Sequence, residues 1–140
     1  MRLTKYSDFA LRTLIYVASA ERRCTIDEIA QSYAIPKNHL VKVVNQLATL
    51  GFVRSVRGKG GGLELAYEPS SINLGDVVRA TEQSFDLVEC FSTENQCVLT
   101  PSCKLAGIFA EALDQFLQVI DEYTLEDVLA PKVKVLLNLN

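Results

Sequence analysis

Three features of this 140-residue sequence predict a mainly α fold carrying one small β-hairpin. Apolar residues recur at three- and four-residue spacing over several segments. Most of these segments open on a capping residue or close on a glycine. Only one pair of short alternating segments flanks a glycine-rich tip, which limits β-structure to a single hairpin.

Thr4 is placed to cap a first helix running to about Ser19, with Tyr6, Ala10, Leu14 and Val17 along one stripe. Thr25-Ile26-Asp27-Glu28 reads as a capping box, in which Thr25 and Glu28 satisfy each other's backbone donors, and it opens a short helix to about Tyr33. Ala34-Ile35-Pro36 makes a turn, with Pro36 suited to the first turn of a third helix. That helix runs from about Lys37 to Leu50 and stops at Gly51. Residues 52–56 and 63–67 read as strands around Arg57-Gly58-Lys59-Gly60-Gly61-Gly62. Asn73 caps a short helix over about 74–81, and a loop holding three cysteines follows over about 86–103. Leu105, Ile108, Phe109, Ala112, Leu113, Phe116, Leu117 and Ile120 then mark one long amphipathic helix, about 104–123. Thr124 and Asp127 are spaced to cap a last short one.

Three helices followed by a hairpin is the layout of a winged helix–turn–helix. We therefore expect residues 1–72 to form that unit, and residues 73–140 to carry the cysteine loop and a dimerisation helix with its tail. The third helix supports the first half of this expectation. Leu40, Val43, Val44 and Leu47 share one face and belong to the core, whereas Asn38, Lys42, Asn45 and Thr49 face away, flanked by Lys37 and His39. No acid lies between residues 37 and 49, which suits a surface that approaches phosphates. Asn reads adenine edges and Lys reaches guanine or phosphate. Arg54, Arg57 and Lys59 surround the glycines of the hairpin, so a basic tip with few side chains can lie against a minor groove. No GK[ST] follows these glycines, so a nucleotide-binding loop is set aside. His39, the one histidine, is read as a phosphate or base contact rather than a metal ligand.

Charge agrees with this division. Residues 1–67 hold ten Lys/Arg against five Asp/Glu, a balance of +5, and residues 68–140 hold four against twelve, a balance of −8. At 49% hydrophobic and 22% charged, the composition is ordinary for a globular protein. Residues 9–20 end in Ala-Ser-Ala, but Arg12 and Thr13 interrupt the apolar run that a secretion signal needs. No run is long enough to span a membrane, and a cytoplasmic location is expected. There is no CxxC, no nucleophile–base pair and no dinucleotide fingerprint, so an enzyme is not expected.

A helix of about nineteen residues spans nearly 30 Å, longer than the short neighbouring elements can cover. Pairing two such helices about a two-fold axis would bury the surplus face. It would also set two recognition helices about one turn of DNA apart, over a pseudo-palindromic duplex. Cys90, Cys97 and Cys103, in "CFSTENQCVLTPSC", are spaced C-x6-C-x5-C. Zinc, an iron–sulfur cluster and a thiol switch all suit this loop. Zinc favours tighter knuckles, whereas gaps of six and five suit a larger object. Cys24 stands apart and is expected to be a small, semi-buried residue.

The segments "LTKYSDFALRTLIYVA", "KNHLVKVVNQLATLGFVRSVRGKGGGLELA" and "INLGDVVRATE", followed by the three cysteines, resemble those of iron–sulfur-cluster winged-helix transcriptional repressors. The likeness spans nearly the whole chain. It implies a homodimeric, double-stranded-DNA-binding repressor whose three loop cysteines hold an iron–sulfur cluster, [4Fe–4S] in preference to [2Fe–2S]. One branch of these repressors, which regulates cluster assembly, places a histidine three residues after the third cysteine; here that residue is Ala106. The nitric-oxide-sensing branch resembles this chain at Asp8, which implies that Asp8 ligates the cluster of the other subunit. The residues alone read Asp8 as a first-turn acid favoured by the helix dipole. The resemblance implies nitric oxide as the signal and release of DNA as the response. Oxygen, redox state or iron supply, and a zinc-stabilised constitutive module, are the alternatives. The six-residue gap after Cys90 is slightly longer than these repressors usually show.

Overall fold

Capping chemistry sets most helix boundaries in the computed structural model, which describes residues 2–139. Helix α1 spans Lys5–Ala20, and the Thr4 side chain accepts from the Ser7 amide at 3.2 Å. Helix α2 spans Ile26–Tyr33 and opens on a complete capping box: Thr25 Oγ1 accepts from the Glu28 amide and Glu28 accepts from the Thr25 amide. That amide, and after it the Arg22 guanidinium, hold the Glu28 carboxyl below its ordinary pKa.

Helix α3 spans Lys37–Thr49. Pro36 sits one position earlier than expected, as the N-cap itself, so no side chain caps the first turn. The helix ends in a Schellman motif. The Gly51 and Phe52 amides donate to the Ala48 and Leu47 carbonyls, with Gly51 at φ 85°.

Strands β1 (Val53–Val56) and β2 (Gly62–Leu65) form the one antiparallel hairpin, with Arg54 opposite Glu64 and Val56 opposite Gly62. Helix α4 spans Leu74–Thr81 and is capped by Asn73, and helix α5 spans Lys104–Asp121. The mainly helical fold with one hairpin is thus as expected. The C-terminus differs. Thr124 and Asp127 do bond to each other, at 2.7 Å through the Thr124 amide, but they frame only a 3-10 turn at Glu126–Val128. A sixth helix, α6 (Pro131–Leu136), follows without a side-chain cap. Its spacing is too short for periodicity to reveal.

Two apolar clusters meet across α1. Tyr16, Val17, Ile29, Ile35, Leu40, Val44, Leu63 and Leu137 belong to one, and Ala10, Leu14, Val43, Leu47, Val53, Ile72, Val77 and Leu125 to the other. Helix α3 sends residues into both, which fixes its roll and therefore its outward face. Val77, Leu125 and Leu137 show that the second half of the chain completes these clusters. Buried polar groups are few and paired: Thr13 donates to the Phe9 carbonyl at 2.7 Å, and Thr81 donates to Ser7 Oγ at 2.9 Å.

Candidate nucleic-acid interface and metal centre

The roll of α3 leaves Lys37, Asn38, His39, Lys42, Asn45 and Thr49 exposed, while Leu40, Val43, Val44 and Leu47 are buried. Lys37 pairs with Asp27 of α2 at 2.8 Å. The His39 ring stacks on Phe9 of α1, with centroids 6.4 Å apart. Tyr6 donates its hydroxyl proton to the Lys42 carbonyl at 3.1 Å. These two contacts seat the recognition face on α1 while leaving the side chains of Asn38, Lys42 and Asn45 directed to solvent. Sequence periodicity assigns Tyr6 to a core stripe and gives no signal for its bond to α3.

In the hairpin, Arg54 donates to the Ala66 carbonyl at 2.8 Å, and Arg57 and Lys59 are exposed. The hairpin is anchored at the tip end of β2. Leu63 exchanges main-chain hydrogen bonds with Cys24, at 2.7 and 3.1 Å. Gly62 lies against the Cys24 carbonyl at φ 140°, where a Cβ would approach it to 2.8 Å. Cys24 itself is fully buried rather than semi-buried, and burial pushes its thiol up to about 11. It is an unreactive packing residue. Arg23 reaches from the same turn to Glu64 at 2.9 Å and to the Gly60 carbonyl at 3.3 Å. The sequence carries no periodic signal for Arg23, because the Cys24–Leu63 pairing that places it is long-range.

The cysteine loop is built from short hydrogen-bonded turns. Cys90 lies in the 3-10 turn Glu89–Phe91, and Cys103 immediately precedes α5. The Cys97 amide donates to Asn95 Oδ1 at 2.9 Å, Asn95 donates to Thr100 Oγ1 at 2.8 Å, and Thr100 returns a proton to the Cys97 carbonyl at 2.8 Å. All three thiols are free and partly exposed. Among the described residues no three His, Cys, Asp or Glu side chains converge to hold a metal. The loop thus brings the three cysteines onto one segment without closing them around a centre. The donor set still fits an iron–sulfur group: three unpaired thiols, accessible to an incoming ion, on a segment whose backbone is locally braced.

Asp8 stands in the first turn of α1, 44% exposed, and both its carboxylate oxygens face Arg12, at 3.0 and 2.9 Å. The C-terminal end of α4, which precedes the loop, is joined to this turn. Glu82 accepts from the Thr4 amide at 2.7 Å and from Thr4 Oγ1 at 3.0 Å, next to the buried Thr81–Ser7 bond. Gln46 of α3 also reaches the Ala80 carbonyl, at 3.4 Å. At its far end α5 is clamped to α4, where the Arg79 guanidinium grips both oxygens of Asp121 and Asn73 donates to the Asp121 carbonyl at 2.7 Å. Elsewhere one side of α5, at Phe109, Leu113, Phe116 and Leu117, is half-buried, and the other is exposed. None of its residues is fully buried, and Leu105, Ile108 and Val119 are 54%, 60% and 55% exposed. No helix among the described residues is long and apolar enough to cross a membrane.

A family model for Rrf2, described as an iron-dependent transcriptional regulator, matches residues 3–131. Two relatives are the HTH-type transcriptional regulators NsrR of Bacillus subtilis (strain 168) and Bacillus licheniformis. The first is 46% identical over 140 residues, covering 97% of this chain and 95% of that protein. The second is 46% identical over 132 residues, covering 92% of each. The solved structure of CymR, the global cysteine regulator of B. subtilis, matches with a TM-score of 0.70 at 26% identity, over 91% of this chain and 95% of that one.

Proposed function

Because this chain belongs to the Rrf2 family of transcriptional regulators, we propose that it is a homodimeric DNA-binding repressor that senses nitric oxide through an iron–sulfur cluster. The observation that carries this reading is the set of three free thiols on one braced loop, which follows α4, the helix whose C-cap Glu82 is bonded to the start of α1. The family's description as iron-dependent and the likeness to NsrR support iron over zinc.

In this reading residues 1–72 bind DNA, and residues 73–140 hold the cluster loop and the dimer helix. Asn38 and Asn45 read base edges, with Lys37, His39 and Lys42 beside them on phosphate or base, and Arg54, Arg57 and Lys59 bring the wing to the backbone. The bare face of α5 pairs with its equivalent in a second copy. Cys90, Cys97 and Cys103 would hold the cluster, [4Fe–4S] in preference to [2Fe–2S], with the partner subunit's Asp8 as fourth ligand. Bound there, the cluster supplies iron that reacts with nitric oxide.

The protein's own part is mechanical. To ligate, Asp8 gives up an exposed ion pair with Arg12, worth at most about 1 kcal/mol. A metal–ligand bond exceeds that readily. Once Asp8 is engaged, the first turn of α1 is held from two sides, by the partner's loop and by Glu82. Tyr6 and Phe9 carry the position of that turn to Lys42 and His39 of α3. A tenfold change in operator affinity needs only about 1.4 kcal/mol, so a small tilt of α3 suffices to switch binding.

The test is the metal content of anaerobically purified protein. Iron and sulfide with broad visible absorption support the reading. Colourless protein with stoichiometric zinc defeats it in favour of a constitutive module. Loss of operator binding on exposure to oxygen alone would redirect the signal while keeping the architecture.

A further inference from the structure

Glu64 is the only acid among residues 52–66, and in the hairpin register it lies opposite Arg54. An unbalanced carboxylate there would draw Arg54 away from any phosphate and lower the potential of the wing. Arg23, in the turn between α1 and α2, meets it first: Nε donates to Glu64 Oε2 at 2.9 Å, and Nη1 donates to the Gly60 carbonyl at 3.3 Å. The hydrogen bond from Arg23 is the main reason the Glu64 carboxyl sits below its ordinary pKa. The neighbouring Cys24–Leu63 main-chain pair fixes the tip end of β2, and the Arg23 side chain reaches one step further, to Gly60 in the turn. Arg57 stands just before the Gly58-Lys59-Gly60 bend that Arg23 holds, and Lys59 lies within it.

We infer that Arg23 is a positioning residue for DNA binding: its guanidinium ties the wing tip to the turn before α2 and neutralises Glu64, leaving Arg54, Arg57 and Lys59 to meet phosphate. The inference rests on the DNA-binding reading above. Arg23 and Glu64 are 45% and 34% exposed, so the pair adds little to the stability of the fold and its removal leaves a folded protein. What changes is the placement and net charge of the wing.

The experiment measures operator affinity of the cluster-loaded dimer by fluorescence anisotropy at several salt concentrations, for wild type, R23A, E64Q and R23A/E64Q. R23A is expected to bind about fivefold more weakly, with a shallower salt slope because the unbalanced Glu64 draws Arg54 off phosphate, and with both effects reversed by E64Q. R23A/E64Q is expected to recover most of that loss, because the uncompensated acid is gone. Unchanged affinity in R23A overturns the inference. So does a slope shallower by about 0.9 with no rescue by E64Q, which makes Arg23 itself a phosphate ligand. Wild-type protein that binds no duplex defeats the DNA-binding reading, and this inference with it.

Discussion

Replacing Glu82 with Ala removes the two hydrogen bonds that hold Thr4, the cap of α1, from outside its own helix. The Thr4 amide and hydroxyl lie 2.7 and 3.0 Å from the same carboxylate oxygen. A carboxylate at a helix N-terminus contributes roughly 0.3–1 kcal/mol, and a charge-assisted hydrogen bond contributes more where water is excluded. Glu82 is only partly buried, so the loss should be about 1 kcal/mol. For a domain of this size that lowers Tm by about 3–4 °C. The functional effect should exceed what the stability change implies, because Thr4 lies one turn before Asp8. With its first turn loosened, α1 transmits less of the cluster's constraint to α3. If the same 1 kcal/mol or so is lost from the coupling, the ratio of operator affinities with and without cluster falls about fivefold. Thermal unfolding by circular dichroism and operator anisotropy on loaded and cluster-free protein measure the two effects. Glu82→Gln keeps an acceptor oxygen without the charge and should recover part of both. E82A with an unchanged affinity ratio and a Tm within about 1 °C of wild type would refute the link between the end of α4 and α1.

Five further substitutions or measurements bear on the rest of the account. Asp8→Ala should speed cluster loss in buffer, measured by decay of visible absorption, while leaving the Tm of cluster-free protein within about 2 °C, since it removes only an exposed pair with Arg12. Gly75→Ala places a Cβ on the Asp121 carboxylate and against Arg79; the two side-chain ends should swing apart and lose their exposed ion pair, at most about 1 kcal/mol, visible as a small drop in the denaturation midpoint. Iodoacetamide at mildly alkaline pH should modify three cysteines of the cluster-free protein and spare Cys24, whose buried thiol sits at about 11; mass spectrometry counts the adducts. Asn38→Ala should cost about 1–3 kcal/mol on the preferred operator and relax preference at one base pair, whereas Lys59→Ala should weaken all duplexes alike and flatten the salt slope by about 0.9.

The helices and hairpin were legible because their signals are local. Thr25 with Glu28, Asn73, and Gly51 after Leu50 each mark a boundary within a few residues, and the structure uses all of them. The outward face of α3 was legible for the same reason, since four apolar positions fix the roll of a helix. Contacts between distant segments left no such trace. Arg23 meets Glu64 across forty-one positions and Thr4 meets Glu82 across seventy-eight. Nothing in the spacing of either pair announces it. Helix α6 was missed because six residues, Pro131–Leu136, are too few to establish a period, and its order comes from docking Leu137 and Val133 on the core. The cysteines were conspicuous as a motif, yet their spacing did not show how they lie relative to one another. Their loop is braced internally, and among the described residues they do not converge.

One measurement bears most directly on the whole account: binding of the anaerobically loaded dimer to an operator selected from a random duplex pool, before and after stoichiometric nitric oxide. The account predicts tight, salt-dependent binding beforehand and release afterwards, with bleaching of the visible absorption in step with the loss of complex. Retention of the complex while the absorption bleaches would contradict it, because the loop–α1–α3 connection would then carry no signal to DNA.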